Sequence, residues 1–204
     1  MPDQQLLRDT FLRVYKDADD KAHDEAESAP FPAYLEEEVD ERNLAPFCPT
    51  SARRVLEALD MAKVDEGDLL LDLGSGDGRF CTAAAAVYGA RKAVGIETDG
   101  ELVERSRHLA TRVLGENEER MKRLEFIHGD LLTVVQTDEE LRSTAWTVIV
   151  VFLLPDHTDK FADLLLYHYH RGARIVSLVF NLNEIPGLQL IASHEPDGIY
   201  VYRR

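Results

Sequence analysis

The glycine-rich segment at residues 69–80, LLLDLGSGDGRF, constrains the fold of this chain more than any other stretch. Its apolar start predicts a buried strand of a parallel sheet, and the alternate glycines after Asp72 predict a sharp turn into a helix. Glycines allow positive φ and a close approach of a ligand to the main chain, while the N-terminus of the next helix offers unpaired N–H groups. The segment therefore predicts a ligand site at the carboxyl end of a strand.

The spacing of the glycines distinguishes two kinds of ligand. A dinucleotide fingerprint, G-x-G-x-x-G, needs its third glycine at position 79, which is Arg79. Residues 72–78 instead read D-x-G-x-G-x-G, and the carboxylate of Asp72 would repel a pyrophosphate. The same carboxylate would attract a ligand that carries an ammonium and a sulfonium group. We therefore expect a cationic ligand here, and not NAD.

This motif resembles the first motif of the class I, or seven-β-strand, S-adenosylmethionine-dependent methyltransferases. The resemblance implies that S-adenosyl-L-methionine is the cofactor and that Asp72, Gly74, Ser75 and Gly76 contribute to its site. The alternative is a glycine-rich turn that binds no ligand.

Two further acids follow predicted strands. Glu97 ends the predicted strand at residues 92–97 and lies 21 residues after Gly76, where a doubly wound fold places a carboxylate that accepts hydrogen bonds from ribose hydroxyls. Thr98 comes directly after it. In the class I methyltransferases an acid after the third strand accepts from the adenine amino group, and the next residue packs near the ring. By resemblance these are Asp130 and Leu131, at the end of the strand predicted at residues 124–131.

A proline-rich loop precedes the glycine motif. The sequence Pro-Phe-x-Pro-Thr at residues 46–50, followed by a helix and the glycine motif, is similar to the small protein-lysine methyltransferases that act on the ATP synthase c-subunit and the adenine nucleotide translocase. In that family the loop borders the cofactor pocket, so the resemblance gives Phe47 and Thr50 that role. The similarity covers about residues 46–204.

The segment after the predicted fourth strand, residues 146–154, concerns the methyl acceptor. Many methyltransferases that modify planar amides or exocyclic base amines carry Asn/Asp-Pro-Pro-Tyr at this place, where a side-chain carbonyl holds the amino group. No asparagine or aspartate precedes Pro155 in this chain, and the comparison with those enzymes therefore counts against an adenine, cytosine or glutamine acceptor. A lysine acceptor is only about 0.04% neutral at pH 7 and must lose a proton before it can attack. A channel lined by Phe152, Leu153 and Pro155 would lower the lysine pKa by desolvation. His157 is a candidate general base, although such a loop histidine is commonly solvated.

The order of predicted elements indicates an α/β fold. Strands and helices alternate and end in a hairpin at residues 188–193 and 199–202, so we expect a doubly wound, mostly parallel seven-stranded sheet with a terminal antiparallel hairpin. The resemblance implies that this sheet is of the Rossmann-like methyltransferase type. Residues 46–204 would form the methyltransferase domain. Residues 1–45 would be an acidic N-terminal extension, with a helix at residues 3–16 and a linker or flap at residues 17–28.

The charge distribution bears on partners. The net charge is −15, and residues 1–45 contain 13 acidic and five basic residues. This charge disfavours nucleic acid and favours a basic or lysine-bearing protein substrate, although the acidity could also serve solubility alone. The apolar run at residues 148–154 is far shorter than the ~20 residues of a membrane span, so we expect no membrane insertion. The five aspartates among the first 20 residues suit neither a secretory signal nor a mitochondrial presequence, so we expect a cytoplasmic or nuclear protein.

These observations predict a methyltransferase that most resembles a protein-lysine N-methyltransferase and binds no metal. Two alternatives stay open. One is a small-molecule N- or O-methyltransferase with a closed pocket, and the other is a non-catalytic S-adenosylmethionine-binding module that regulates a partner.

Overall fold

A computed structural model describes residues 2–28, 47–152 and 158–204, with side chains for residues 4–21, 47–152 and 159–204. Within these residues seven strands form a single sheet. The strands are β1 Leu69–Leu73, β2 Lys92–Glu97, β3 Leu124–His128, β4 Val148–Val151, β5 Arg174–Leu178, β6 Leu190–His194 and β7 Ile199–Tyr202.

Helices surround the sheet. They are α1 Pro2–Ser28, α2 Ala52–Met61, α3 Arg79–Ala83, α4 Gly100–Leu114, α5 Glu118–Met121, α6 Leu131–Thr137, α7 Glu139–Ser143 and α8 Thr158–His170. A π-helical segment, Ala84–Tyr88, continues α3, and a 3-10 turn, Glu195–Asp197, joins β6 to β7. None of the helices in the described part of the chain is long and apolar enough to cross a membrane.

The sheet has the order β3-β2-β1-β4-β5-β7-β6. Strands β1 to β5 are parallel to one another, whereas β7 is antiparallel to β5 and β6 is antiparallel to β7. The expected doubly wound sheet with a terminal antiparallel hairpin is therefore confirmed. The chain order reverses between β1 and β4, the place where open α/β sheets bind their ligands.

Successive residues of a strand point to opposite faces of the sheet, and both faces are buried at β1, β2, β4 and β5. Leu70 packs into the core beneath α1 to α4, and Leu71 packs into the core beneath α6 to α8. This arrangement leaves the carboxyl ends of β1 to β5 together at one edge of the sheet, which is called the carboxyl edge below.

Helix α1 differs from the expectation. The structure continues it through residues 17–28, which were predicted to be a linker or flap, so that prediction was wrong. The segment is acidic but contains neither proline nor glycine, and its alanine, lysine and glutamate residues are good helix formers. Phe11 and Tyr15 are fully buried, and α1 contacts α2, α3 and α4. Residues 29–46, with the predicted domain boundary, lie outside the described residues.

Candidate active site

The turn between β1 and α3 carries the predicted cofactor residues at the carboxyl edge. Gly76 and Gly78 have φ of 54° and 72°. A Cβ atom at Gly76 would lie 2.7 Å from the ring of Phe47, and one at Gly78 would lie 2.5 Å from the ring of Phe126. Both positions therefore require glycine. The contact also shows that Phe47, 41% exposed, lies directly on the main chain of the glycine turn.

The ends of β1 and β2 are joined through main-chain groups and Glu97. The amides of Gly74 and Ser75 donate to the carbonyl of Ile96, at 3.0 and 2.9 Å. The Glu97 carboxylate accepts from the amide of Gly76 at 2.8 Å and from the amide of Thr98 at 2.8 Å. Glu97 thus fixes the glycine turn relative to β2. Its role as a ribose ligand stays a prediction.

Asp72 is 3% exposed and lies before the glycine turn. Burial raises its pKa to about 8, and the nearby charges of Glu97 and Asp77 add to the effect. Its Oδ2 atom and the Oγ atom of Ser75 are buried and have no hydrogen-bond partner among the described residues. Buried polar atoms are rarely left unpaired. These atoms fit a ligand that brings hydrogen-bond donors and positive charge, as the ammonium and sulfonium groups of S-adenosylmethionine do.

Arg79 organises the other side of the turn. Its side chain is 4% exposed, and its Nη2 atom lies 2.6 Å from Asp77 and 2.9 Å from Asp19 of α1. The guanidinium carbon lies 5.1 Å from the ring centre of Tyr15, close enough for a cation–π contact. Arg79 also donates to the carbonyl of Thr50, whose side chain is buried.

One guanidinium therefore connects α1, the proline-rich loop and the glycine turn. Sequence reasoning assigned no role to this residue. The available signals were an arginine that closes the glycine motif, together with Tyr15 and Asp19 one helical turn apart.

The end of β3 completes this part of the site. The His128 Nε2 atom lies 3.0 Å from the carbonyl oxygen of Thr98. Asp130 begins α6 by accepting from the amide of Leu132 at 2.8 Å, and Leu131 is buried. Asp130 and Leu131 thus follow β3, the neighbour of the strand β2 that ends at Glu97. Their contacts with adenine stay predictions.

The predicted acceptor residues are described only in part. Phe152 directly follows β4, is half-buried and packs against the core beneath α1 to α4. Leu153, Pro155 and His157 lie outside the described residues, so the predictions made for them are not tested.

Comparisons with known proteins agree with this geometry. The chain matches the ANTKMT methyltransferase domain over residues 72–188. It is 30% identical to a protein-lysine N-methyltransferase of Saccharolobus islandicus over 137 residues, 67% of this chain and 78% of that protein. It is 29% identical to the lysine N-methyltransferase of the ATP synthase c-subunit from Rattus norvegicus over 135 residues, 66% of this chain and 56% of that protein.

A solved structure adds to these matches. An RNA methyltransferase from Salinibacter ruber, in complex with S-adenosyl-L-homocysteine, aligns with a TM-score of 0.58 and 32% identity, covering 76% of this chain and 91% of that chain. Sheet order, glycine turn and relatives together define a class I S-adenosylmethionine-dependent methyltransferase. Within that class, the chain belongs to the ANTKMT methyltransferase domain family. The expected resemblance, enzyme class and cofactor are confirmed.

Proposed function

We propose that this methyltransferase transfers a methyl group to a lysine side chain of a protein. The observation that carries the proposal is that two curated relatives, from Saccharolobus islandicus and from rat, are both named for methylation of lysine. The net charge of −15 supports it, because a protein that exposes lysines would be attracted electrostatically.

The residues at the carboxyl edge have distinct roles in this proposal. When bound, S-adenosylmethionine would supply its sulfonium methyl group, whose carbon bonds to the neutral amine while the C–S bond breaks and S-adenosylhomocysteine leaves. Asp72 would balance the positive charge of the cofactor, and Glu97 would accept from the ribose hydroxyls. The remaining cofactor residues would shape the pocket around the adenine and the methionine part; they are Phe47, Thr50, Gly74, Ser75, Gly76, Thr98, Asp130 and Leu131.

The chain must also help the acceptor lysine to lose its proton. Apolar surroundings disfavour the charged amine and lower its pKa. Phe152, half-buried at the end of β4, would provide such surroundings together with Leu153 and Pro155. His157 is our candidate for the group that accepts the proton.

RNA is the competing acceptor, because the Salinibacter ruber structure is named as an RNA methyltransferase. The net charge of −15 works against a polyanion, since phosphate groups would be repelled over about 8 Å at physiological ionic strength. An acceptor assay must therefore include both classes of macromolecule.

The test is incubation of the purified protein and methyl-labelled S-adenosylmethionine with cell extract, followed by protease or ribonuclease treatment. We expect protease-sensitive label and methyl-lysine by mass spectrometry. Asp72→Asn should lose the label, whereas Asp163→Asn, at an exposed aspartate of α8, should keep it. Label only in RNA or in small molecules would reject the lysine acceptor, and cofactor binding without any label would favour a regulatory module.

A further inference from the structure

The backbone is strained at the carboxyl end of β5. Val179 has φ of 67°, a left-handed conformation that a β-branched residue rarely adopts. The amide of Phe180 donates to the carbonyl of Leu178 at 2.8 Å, which closes a three-residue γ-turn around Val179. This positive-φ form of the γ-turn is the rare and strained one.

Two further hydrogen bonds hold the turn in this conformation. The amide of Val179 donates to the carbonyl of Gly198 at 2.7 Å. The Ser177 hydroxyl donates to the carbonyl of Phe180 at 2.6 Å. Gly198, which begins the return into β7, is so close that a Cβ atom there would lie 3.1 Å from the Val179 Cα atom. The hairpin between β6 and β7 therefore enforces the strain.

The strained turn lies at the same edge as the glycine turn. Strand β4 lies between β1 and β5, with Val151 paired to Leu73 on one side and to Ser177 on the other. Phe152 follows Val151, so Phe152 and Val179 follow the ends of adjacent parallel strands. Ligands of open α/β sheets bind at these carboxyl ends. Val179 is 38% exposed although its side chain is apolar.

Glycine at position 179 would allow the same turn without strain, yet the chain has valine there. Strain that the surrounding structure maintains occurs preferentially at functional sites. We propose that the Val179 turn forms one wall of the acceptor site and, beside Phe152 at the carboxyl edge, contacts the aliphatic part of the acceptor lysine. This inference rests on the proposed function and deepens it, because it names the residue that selects an aliphatic amine.

The structure offers a matched control for a test of this role. Lys63 is the other non-glycine residue with positive φ in the described part of the chain, with φ of 54°. It is exposed and lies at the opposite edge of the sheet, where its carbonyl accepts from Arg174 at the start of β5, at 2.7 Å. Val179→Gly and Lys63→Gly each remove one strained side chain, but only the first alters the carboxyl edge.

We expect both glycine variants to melt at or above the wild-type temperature and to bind S-adenosylmethionine with an unchanged Kd by calorimetry. With a lysine-containing substrate identified by the labelling assay, Val179→Gly should lower kcat/KM at least about tenfold, the effect of removing methyl groups from an apolar pocket. Lys63→Gly should leave kcat/KM unchanged. Equal kcat/KM for all three proteins would overturn the inference.

A second variant tests the inference independently, in case the glycine variant does not fold. Val179→Asn keeps the turn, because asparagine tolerates positive φ, but makes the wall polar. A wild-type kcat/KM in this variant overturns the inference even if Val179→Gly does not fold. Failure of the proposed function gives a different result, since wild-type protein would then label no lysine. Label confined to RNA would overturn both proposals.

Discussion

At the scale of single residues, Asp72 couples cofactor binding to pH. Its pKa, raised to about 8 from 3.8 by burial and by Glu97 and Asp77, keeps the carboxyl largely protonated at neutral pH in the free protein. A positively charged ligand favours the carboxylate, so binding should release a proton. We expect the affinity for S-adenosylmethionine to rise by up to about tenfold per pH unit between pH 5.5 and 7.5.

Calorimetry in two buffers of different ionisation enthalpy measures both the affinity and the released proton. Asp72→Asn should bind weakly and without proton release, while Asp163→Asn should match the wild type. The raised pKa also predicts that the free energy of unfolding falls as pH rises from about 4 to about 8, because the unfolded state loses the proton first. A pH-independent affinity would show that Asp72 does not face the charged part of the cofactor.

At this scale the sequence was informative where the spacing of residues by itself indicates a ligand site. The register of the glycines and the acids at positions 72, 97 and 130 predicted a cofactor edge. It could not reveal that Glu97 is already bonded to the amide of Gly76, nor that the buried Oδ2 of Asp72 lacks a partner within the described residues. Those facts depend on how separate strand ends meet.

At the scale of elements, α1 supports the cofactor turn through Asp19. Arg79 is nearly buried and loses one of its two carboxylate partners if Asp19 is replaced. We expect Asp19→Asn to lower the free energy of unfolding by about 1–3 kcal/mol. Cofactor binding should weaken as well, because the same guanidinium holds the carbonyl of Thr50 in the proline-rich loop.

Asp17→Asn is the matched control on the same helix. Asp17 forms an exposed pair with Arg112, at 3.5 Å, and exposed pairs contribute only about 0–1 kcal/mol. Denaturant unfolding and calorimetry should therefore separate the two variants in both stability and cofactor Kd. Equal changes in the two variants would indicate that α1 contributes charge but no support to the turn.

The extent of α1 also shows where composition misleads. Residues 17–28 resemble a linker because they are acidic and small, but helix propensity and contacts at Ala18 and Asp19 decide otherwise. Fully buried Phe11 and Tyr15 make α1 part of the core. Deletion of α1 would therefore remove core packing together with charge.

At the scale of the whole molecule, alternation of strands and helices was sufficient to predict the sheet. Right-handed crossovers between parallel strands leave few possible topologies, so the parallel arrangement of β1 to β5 could be predicted from the alternation of strands and helices. The docking of α1 beside α2 and α4, and the positive φ of Val179, did not follow, because each is set by contacts between residues distant in sequence.

The overall charge leads to a prediction about substrate encounter. Part of the acidity of α1 is neutralised, since Asp17 pairs with Arg112, Asp19 with Arg79 and Asp20 with Lys16. Steering of a basic protein would then depend on the acidic cluster Glu36, Glu37, Glu38, Asp40 and Glu41, which lies outside the described residues. Neutralising these five with Gln and Asn should lower kcat/KM for a basic substrate while cofactor affinity stays unchanged.

Salt dependence distinguishes local steering from a general effect of net charge. A control variant neutralises five exposed acids elsewhere on the chain: Glu116, Glu119, Glu139, Asp159 and Asp163. Both variants change the net charge equally, but only loss of the steering cluster should flatten the fall of kcat/KM with ionic strength. Added salt weakens the attraction of the cluster for the substrate, because exposed charges more than about 8 Å apart are largely screened at 0.15 M salt. If the two variants and the wild type share one salt slope, the cluster serves solubility and does not steer the substrate.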